Sequence, residues 1–417
     1  MNLSSADLQQ KYARMSRTAL VAGVIGVAGL VIGWVTDTEE FYHSYIFGYA
    51  YWMTLTLGLL GWTLLHNMTA GKWGFTIRRF LQAGTFSGSL AFSPIVLMAI
   101  LFIPIILGNE YLYHWMHPDT IPVHEQHMLH NKEFYLNTPF WYARLAFYFV
   151  FWIGIAMMSK RLLDQEEHIL DPRRSKMRTI QRVSAGGLVL FLLTENFSWT
   201  DWTMSLEWTW FSTMYGVIML AGGVLSAIAL ANIMTIKSAE YKPFSKYIDT
   251  KTYHDLGNLM FALTVFWAYV SFSQYLIVWS ANLAEEAGWY LKRTNGVNEI
   301  IGYALLVFHF AAPFVILIQR GIKRNPKTLK TMAYWILGMH FLDMLWQIKP
   351  SFQGLGDTSL NIHWIDFAAV IGIGGLWLFF FLTNLAKTKA SLLPAHDPRM
   401  RGGKPVLEEN EAATARA

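Results

Sequence analysis

Apolar residues run along this chain in long blocks separated by short polar segments, and the blocks have the length of membrane spans. A helix needs about 20 mainly apolar residues to cross a hydrocarbon core of about 30 Å. Ten stretches meet that length: residues 18–34, 44–65, 80–107, 139–158, 182–199, 209–233, 256–280, 298–320, 331–348 and 363–386. The third is long and carries Pro94 and Pro104, which predicts a kink or tilt. Glu195 and Asn196 interrupt the fifth near one end. The pattern predicts an all-α integral membrane protein with about ten transmembrane helices.

An even number of crossings puts both termini on one side, and the basic residues choose which. With the N-terminus inside, the inner segments hold 28 of the 33 Lys and Arg. The outer loops keep only Lys132, Lys292, Arg293 and Lys349, and Arg144 falls within a span. That bias is the positive-inside pattern for an N-in, C-in chain. The expected organisation is a cytoplasmic segment 1–17, a ten-helix membrane domain 18–386, and a polar tail 387–417 whose composition predicts disorder. The first span follows a basic start without a small-residue cleavage site, so it reads as an uncleaved anchor. Nothing is left over for a soluble catalytic domain.

Composition agrees and adds exclusions. Hydrophobic residues make up 54% of the 417 and charged residues only 15%, against about 25% in ordinary globular chains. A disordered protein, a nucleic-acid binder and most soluble enzymes are thereby excluded. Cysteine is absent, which removes iron–sulfur clusters, zinc knuckles, disulfides and covalently attached haem from this chain. No phosphate-cradling glycine loop is present either.

Ionisable groups at membrane depth are costly and usually face a protein interior or a water path. His309 and His340 fall near the middle of the eighth and ninth spans. Asp343 follows His340 by three and Gln347 follows Asp343 by four, which stacks the three on one helix face. His363 and Asp366 repeat the spacing at the outer end of the tenth span, and Arg144 sits near the outer end of the fourth. Glu195, Asp201 and Glu207 fall around the outer turn between the fifth and sixth spans. On the inner side, His66 and Asn67 end the second span while His254, Asp255 and Asn258 open the seventh. Two polar clusters are thus expected to approach the midplane from opposite faces. Carboxylates and imidazoles suit proton half-channels, or a quinone-head pocket at the outer end with aromatic walls.

Blander readings stand beside these. Outer-end acids also cap helices or lie among headgroups, and His309 and His340 also serve as core histidines. A bis-His haem between His309 and His340 is conceivable, but Phe308 and Phe341 flank the two where small residues would be needed. The outer-loop histidines 114, 117, 124, 127 and 130 have irregular spacing, so no metal site is expected there. Runs such as Trp199–Trp202 and Trp208–Trp210 are expected to form interfacial belts.

Several segments resemble a known family. The inner stretch His66-Asn-Met-Thr-Ala-Gly-Lys-Trp-Gly-Phe-Thr-Ile-Arg-Arg79 and the outer stretch Asp201-Trp-Thr-Met-Ser-Leu-Glu-Trp-Thr-Trp-Phe-Ser-Thr-Met-Tyr215 are similar to those of ActF, a membrane subunit of alternative complex III. So are His254-Asp-Leu-Gly-Asn258, Trp267-Ala-Tyr-Val-Ser-Phe-Ser-Gln274, Trp279-Ser-Ala-Asn282 and His363-Trp-Ile-Asp366 through Pro398. That complex is a quinol:cytochrome c, or electron-carrier, oxidoreductase, and ActF is similar to the NrfD or polysulfide-reductase type of anchor. The resemblance implies two four-helix bundles with two extra helices in a bacterial cytoplasmic membrane. It implies partners: an ActC-like subunit holding the main quinol site, an iron–sulfur subunit, and subunits carrying haem c. Quinol or menaquinol is the substrate class so implied, with no cofactor attached covalently to this chain.

The combined expectation is a non-redox membrane subunit supporting proton conduction or quinol oxidation. The proton-handling candidates are His340, Asp343, His363, Asp366, Arg144, His309, His254, Asp255 and Glu195. For quinone contact they are Arg144, Asp201, Glu207 and Gln274. A stand-alone proton-coupled transporter is the alternative, with Pro313 and Gly222–Gly223 as sites of helix breaks. A purely structural anchor is the other.

Overall fold

The computed structural model describes residues 4–388, except 70, 122, 168, 170–173, 243, 360 and 361. The expected tail therefore lies almost wholly outside the described residues. The first half of the chain contributes α1 (Ser5–Thr36), α2 (Thr38–Thr69), α3 (Lys72–Ala83), α4 (Pro94–Ile100), α5 (Ile103–Leu107), α6 (Asn109–Leu112), α7 (Val123–Lys132), α8 (Thr138–Glu167) and α9 (Met177–Trp202). The second half contributes α10 (Tyr215–Ser238), α11 (Phe244–Tyr247), α12 (Thr250–Ala281), α13 (Ala284–Arg293), α14 (Gly296–Ala304), a π-helical segment Leu305–Ala311, α15 (Ala312–Leu317), α16 (Arg320–Arg324), α17 (Pro326–Ile348) and α18 (Trp364–Lys387). No strand occurs among the described residues. Among the described residues, six helical stretches are long and apolar enough to cross a membrane: α1, α8, α10, α12, the run Gly296–Leu317, and α18. The protein is an all-helical, multi-pass membrane protein.

Helix ends follow local chemistry. Ser4 and Asp7 form a capping box on α1, and Asp249 and Thr252 do so on α12. Asn325 caps α17, where Pro326 occupies a position that needs no amide hydrogen. Asn282, in the left-handed conformation at φ 49°, ends α12.

Among the long helices, α2, α10 and α18 form the centre of the packing, with α2 against both of the others; α2 also meets α9 and α4–α5, α9 meets α8 and α10, α10 meets α12 and α17, and one pair of helices packs most closely of all. The α2 helix is buried around almost its whole circumference in its middle turns, and it meets α10 and α18 as well. Trp62 donates to the Val224 carbonyl (2.8 Å), and Trp52 donates to the Val370 carbonyl (2.9 Å). The pair is α1 with α18. Gly26 and Gly23 on α1 lie directly on the backbone of Gly372 and Gly375, with no room for a side chain between them. The other face of α1 leaves Ile25, Ile32 and Val35 more than half exposed, as a lipid-facing helix does.

Two sequence expectations are corrected. The third span is not one helix over 80–107. Phe80 and Leu81 belong to α3, an amphipathic helix whose residues 74–83 are buried beneath the bundle, and a turn over 84–93 separates it from α4. The Gly84–Ser93 stretch is rich in Gly and Ser, and Pro94 can open a helix but not continue one. A second break follows at Pro104. Tyrosine hydroxyls meet carbonyls there, Tyr45 on Leu101 (2.7 Å) and Tyr49 on Met98 (3.2 Å). The second correction concerns tryptophan. Trp199, Trp202, Trp208 and Trp210 are buried, and three of them pack against other rings: Trp199 on Trp202, Trp202 on Phe102 and Phe149, and Trp210 on Trp289. The well-exposed indoles are others, among them Trp34 and Trp279.

Candidate functional site: a buried carboxylate and two imidazoles

Asp343 lies on α17 with no exposure to solvent. Its Oδ2 accepts a hydrogen bond from Trp267 Nε1 of α12 at 3.0 Å, and its Oδ1 has no hydrogen-bond partner among the described residues. One turn earlier, His340 places Nδ1 3.9 Å from Asp343 Oδ2. His340 Nε2 is hydrogen-bonded to Thr54 Oγ1 of α2 at 2.9 Å. The sequence spacing of three does bring these two side chains together.

The second imidazole reaches the same place from a different helix. His309 is fully buried, and its ring stands edge to face with Trp267, centroids 4.2 Å apart. Neither of its nitrogens has a hydrogen-bond partner among the described residues. It sits in the π-helical segment Leu305–Ala311, which ends just before Pro313. Proline cannot donate to the carbonyl four residues back and crowds it, and a wider turn relieves both problems. Trp335 Nε1 donates to the Phe308 carbonyl in this stretch (2.7 Å). Pro313 therefore marks a local rewinding, whereas Gly222–Gly223 marks no break, because α10 is continuous there. Those glycines serve close packing instead. A Cβ on Gly222 would stand 3.0 Å from His340 Cε1 and 3.3 Å from Asp343 Oδ2, and one on Gly223 would meet the Thr54 carbonyl at 2.5 Å.

Unpartnered polar atoms continue along α10 toward the end where Ser238 lies. Ser226 Oγ, Asn232 Oδ1 and Thr235 Oγ1 are buried with no hydrogen-bond partner among the described residues. Most buried polar atoms in proteins have a partner, and those that lack one in the chain are where internal water binds. In the other direction, Gln347 Oε1 is likewise unpartnered. An ionisable carboxyl with one unpartnered oxygen, two imidazoles beside it, hydroxyls along α10 and an amide at Gln347 can pass a proton.

The remaining candidates sit elsewhere. The His363 and Asp366 spacing is a capping box: His363 Nδ1 accepts from the Ile365 amide (3.4 Å), and Asp366 Oδ2 accepts from the His363 amide (2.8 Å). Asp366 Oδ1 meets Lys349 Nζ at 3.0 Å, and the same ammonium holds Glu40. Arg144 forks onto Asp201, with Nε and Nη2 each 2.8 Å from a carboxylate oxygen, and Tyr148 donates to the same carboxylate. Glu207 pairs with Arg293 (2.9 Å) and Lys292 (3.1 Å) and accepts from Ser351. Burial alone would raise the Glu207 carboxyl, but Arg293 and Lys292 overcome it and hold it below its ordinary value. Gln274 accepts from Ser212 and donates to the Tyr290 hydroxyl.

The acids expected around one outer turn therefore do not share a site. Asp201 and Glu207 have separate cationic partners. Glu195 is buried two turns inside α9, where its Oε1 accepts from Trp199 Nε1 at 2.7 Å and its Oε2 has no hydrogen-bond partner among the described residues. The four residues expected to contact quinone each have protein partners, Arg144 with Asp201, Glu207 with Arg293 and Lys292, and Gln274 with Ser212 and Tyr290. On the inner side, His254 Nδ1 faces Asn258 Nδ2 at 3.4 Å beside a half-buried Asp255. His66 Nε2 meets the Gly71 carbonyl. For a haem between His309 and His340 the fit is poor, since both His340 nitrogens already face protein groups. No group of three or more metal-ligating side chains occurs among the described residues.

Sequence reasoning missed Trp267 and Thr54 as partners of the centre, and counted Arg293 and Lys349 as loop charges when both are fully buried. The intramembrane histidines were visible, while their partners come from helices distant in sequence. No known family model matches the chain, and no curated protein is significantly similar to it.

Proposed function

We propose that this protein is a proton-conducting membrane subunit of a respiratory quinol oxidoreductase of the alternative complex III type, with Asp343 as its central proton carrier. The observation that carries the reading is the Asp343 carboxyl: fully buried, held on one oxygen by Trp267, open on the other, and adjacent to His340. A buried carboxyl with one committed and one free oxygen is placed to take a proton and release it. Ser226, Asn232 and Thr235 supply the inner approach, and Gln347 the outer one. His363, Asp366 and Arg144 act as caps and ion pairs in this scheme.

The subunit crosses a bacterial cytoplasmic membrane ten times with both termini inside, the third crossing being completed by the short α4–α5 run. The charge distribution supports that topology. Quinol oxidation falls to an ActC-like neighbour, because the candidate quinone residues here are saturated by protein partners. Electron transfer falls to iron–sulfur and haem c subunits, in keeping with a chain that has no cysteine.

The π-helical segment and the broken α4–α5 run favour a second reading, a proton-coupled transporter, since such proteins bind substrate at interrupted helices. One experiment separates the readings. The tagged protein is purified in mild detergent from its native membranes, its co-purifying subunits are identified, and quinol-driven proton release is measured for wild type and Asp343→Asn. Co-purification with haem c and iron–sulfur subunits, and at least tenfold slower proton release in an assembled Asp343→Asn complex, is the expected result. Unchanged proton release in that assembled variant overturns the role of Asp343. Recovery of a solitary colourless chain overturns the respiratory assignment.

A further inference from the structure

Asp343 shares its setting with a second carboxyl. Glu195 lies on α9 seven residues before the helix end at Trp202, about 10 Å along the axis. The same turns of α9 expose Leu193 and Phe197, as lipid-facing positions do, while Glu195 itself is 1% exposed. In both carboxyls one oxygen accepts from an indole: Glu195 Oε1 from Trp199 Nε1 at 2.7 Å, and Asp343 Oδ2 from Trp267 Nε1 at 3.0 Å. In both the other oxygen is buried with no hydrogen-bond partner among the described residues.

Charge pairing does not account for Glu195. Asp201, Glu207 and Asp366 have their cations in Arg144, Arg293 and Lys349, whereas Glu195 forms no ion pair among the described residues. An acid kept at membrane depth without a counter-ion is a functional group by default, and one with a committed and an open oxygen is placed to hold a proton and hand it on. Further unpartnered polar atoms adjoin it. Trp202, two turns outward on the same face of α9, buries Nε1 without a hydrogen-bond partner among the described residues. Asn196 Oδ1 is likewise unpartnered, and it stands 2.3 Å from where a Cβ on Gly216 of α10 would be. Internal water binds where buried polar atoms lack partners in the chain.

One face of α2 leads from this carboxyl to the other. Thr54, hydrogen-bonded to His340, and Gly61 are seven residues apart and share that face. Gly61 packs against the ring of Phe191, one turn from Glu195 on α9.

We propose that Glu195 is a second proton-carrying group, acting in series with Asp343 along this face of α2. The step is a proton taken up and given back at Oε2, with no other bond changed. The proposal rests on the proton-conduction reading and adds a second station to it.

The full-length protein is purified from its native membranes with the subunits that accompany it, as wild type, Glu195→Gln and Asp343→Asn. Glutamine keeps an acceptor for Trp199 and carries no acid proton, so a purely structural hydrogen bond would leave Glu195→Gln like wild type. Infrared spectra are recorded in light and heavy water, and quinol-driven proton release is measured. The expected result is a protonated-carboxyl band that disappears in Glu195→Gln and shifts in heavy water, with proton release slowed about tenfold in that assembled variant. A carboxyl spectrum unchanged by Glu195→Gln, a band that does not shift in heavy water, or wild-type proton release overturns the proposal. If Glu195→Gln fails to assemble, Glu195→Asp retains the acid, and a displaced carboxyl band supports the assignment while an undisplaced one overturns it. Slowed release in Asp343→Asn with wild-type release in Glu195→Gln removes Glu195 alone, whereas unchanged release in both removes the underlying reading with it.

Discussion

Trp267 and Asp343 are joined by one hydrogen bond of 3.0 Å between α12 and α17, and the same indole ring stands against His309. One side chain thus fixes the carboxylate and walls the second imidazole. Replacing Trp267 by Phe keeps a ring and deletes the donor. We expect a loss of about 1–3 kcal/mol in stability, the cost of stranding a buried acceptor, together with slowed proton release from the intact assembly. Thermal unfolding in detergent and a proton-release assay check the two parts. Wild-type release in the folded variant would remove Trp267 from the pathway.

The seam between α1 and α18 makes a sharper structural test. A Cβ on Gly26 would lie 2.2 Å from the Gly372 amide nitrogen, so Gly26→Ala must push two backbones apart. Its expected cost is at least about 2 kcal/mol. Gly154 on α8 has nothing within 4 Å of the equivalent position, and Gly154→Ala is expected to be neutral or to stabilise by about 0.5–1 kcal/mol through helix propensity. Melting temperatures of the two variants, measured side by side, should move in opposite directions or differ clearly in size.

Glu207 and Arg293 tie the turn after α9 to α13, with Arg293 fully buried and its remaining donors on the Trp346, Trp289 and Gln347 carbonyls. Glu207→Gln leaves a buried guanidinium without its carboxylate and is expected to cost about 3–5 kcal/mol. The pH dependence has a definite sign. Because the folded carboxyl is held below its ordinary value of 4.5, its stabilisation is complete above that pH and is lost as pH falls through the lower folded value. Acid titration of unfolding should therefore show a segment of slope below about pH 4.5 in wild type that Glu207→Gln lacks.

What the sequence makes legible follows from the range of each interaction. The stack of His340 and Asp343 is a matter of helical spacing, and the structure brings the two side chains together on one helix. Trp267 is 76 residues from Asp343, and nothing local marks it as a partner. Arg293 and Lys349 look like loop charges by the same local logic, yet each is buried by carboxylates and carbonyls from other elements. The third span misleads because Phe80 and Leu81 are apolar for a different reason: they face the bundle from a short helix tucked beneath it. His363 and Asp366 show that one spacing serves two ends, since i, i+3 polar pairs make caps as readily as relays.

The glycine seam also sets an order of events during synthesis. The α1 helix finds its closest mate only in α18, more than 300 residues later in the chain. At a translation rate of about 5–20 residues per second, the interval is on the order of half a minute. Throughout that time the small-residue stripe of α1 lies bare in the bilayer, available to any other helix with a matching groove. A helix made so long before its mate is docked only once that mate emerges, and the insertion machinery must keep it apart from wrong mates in the meantime.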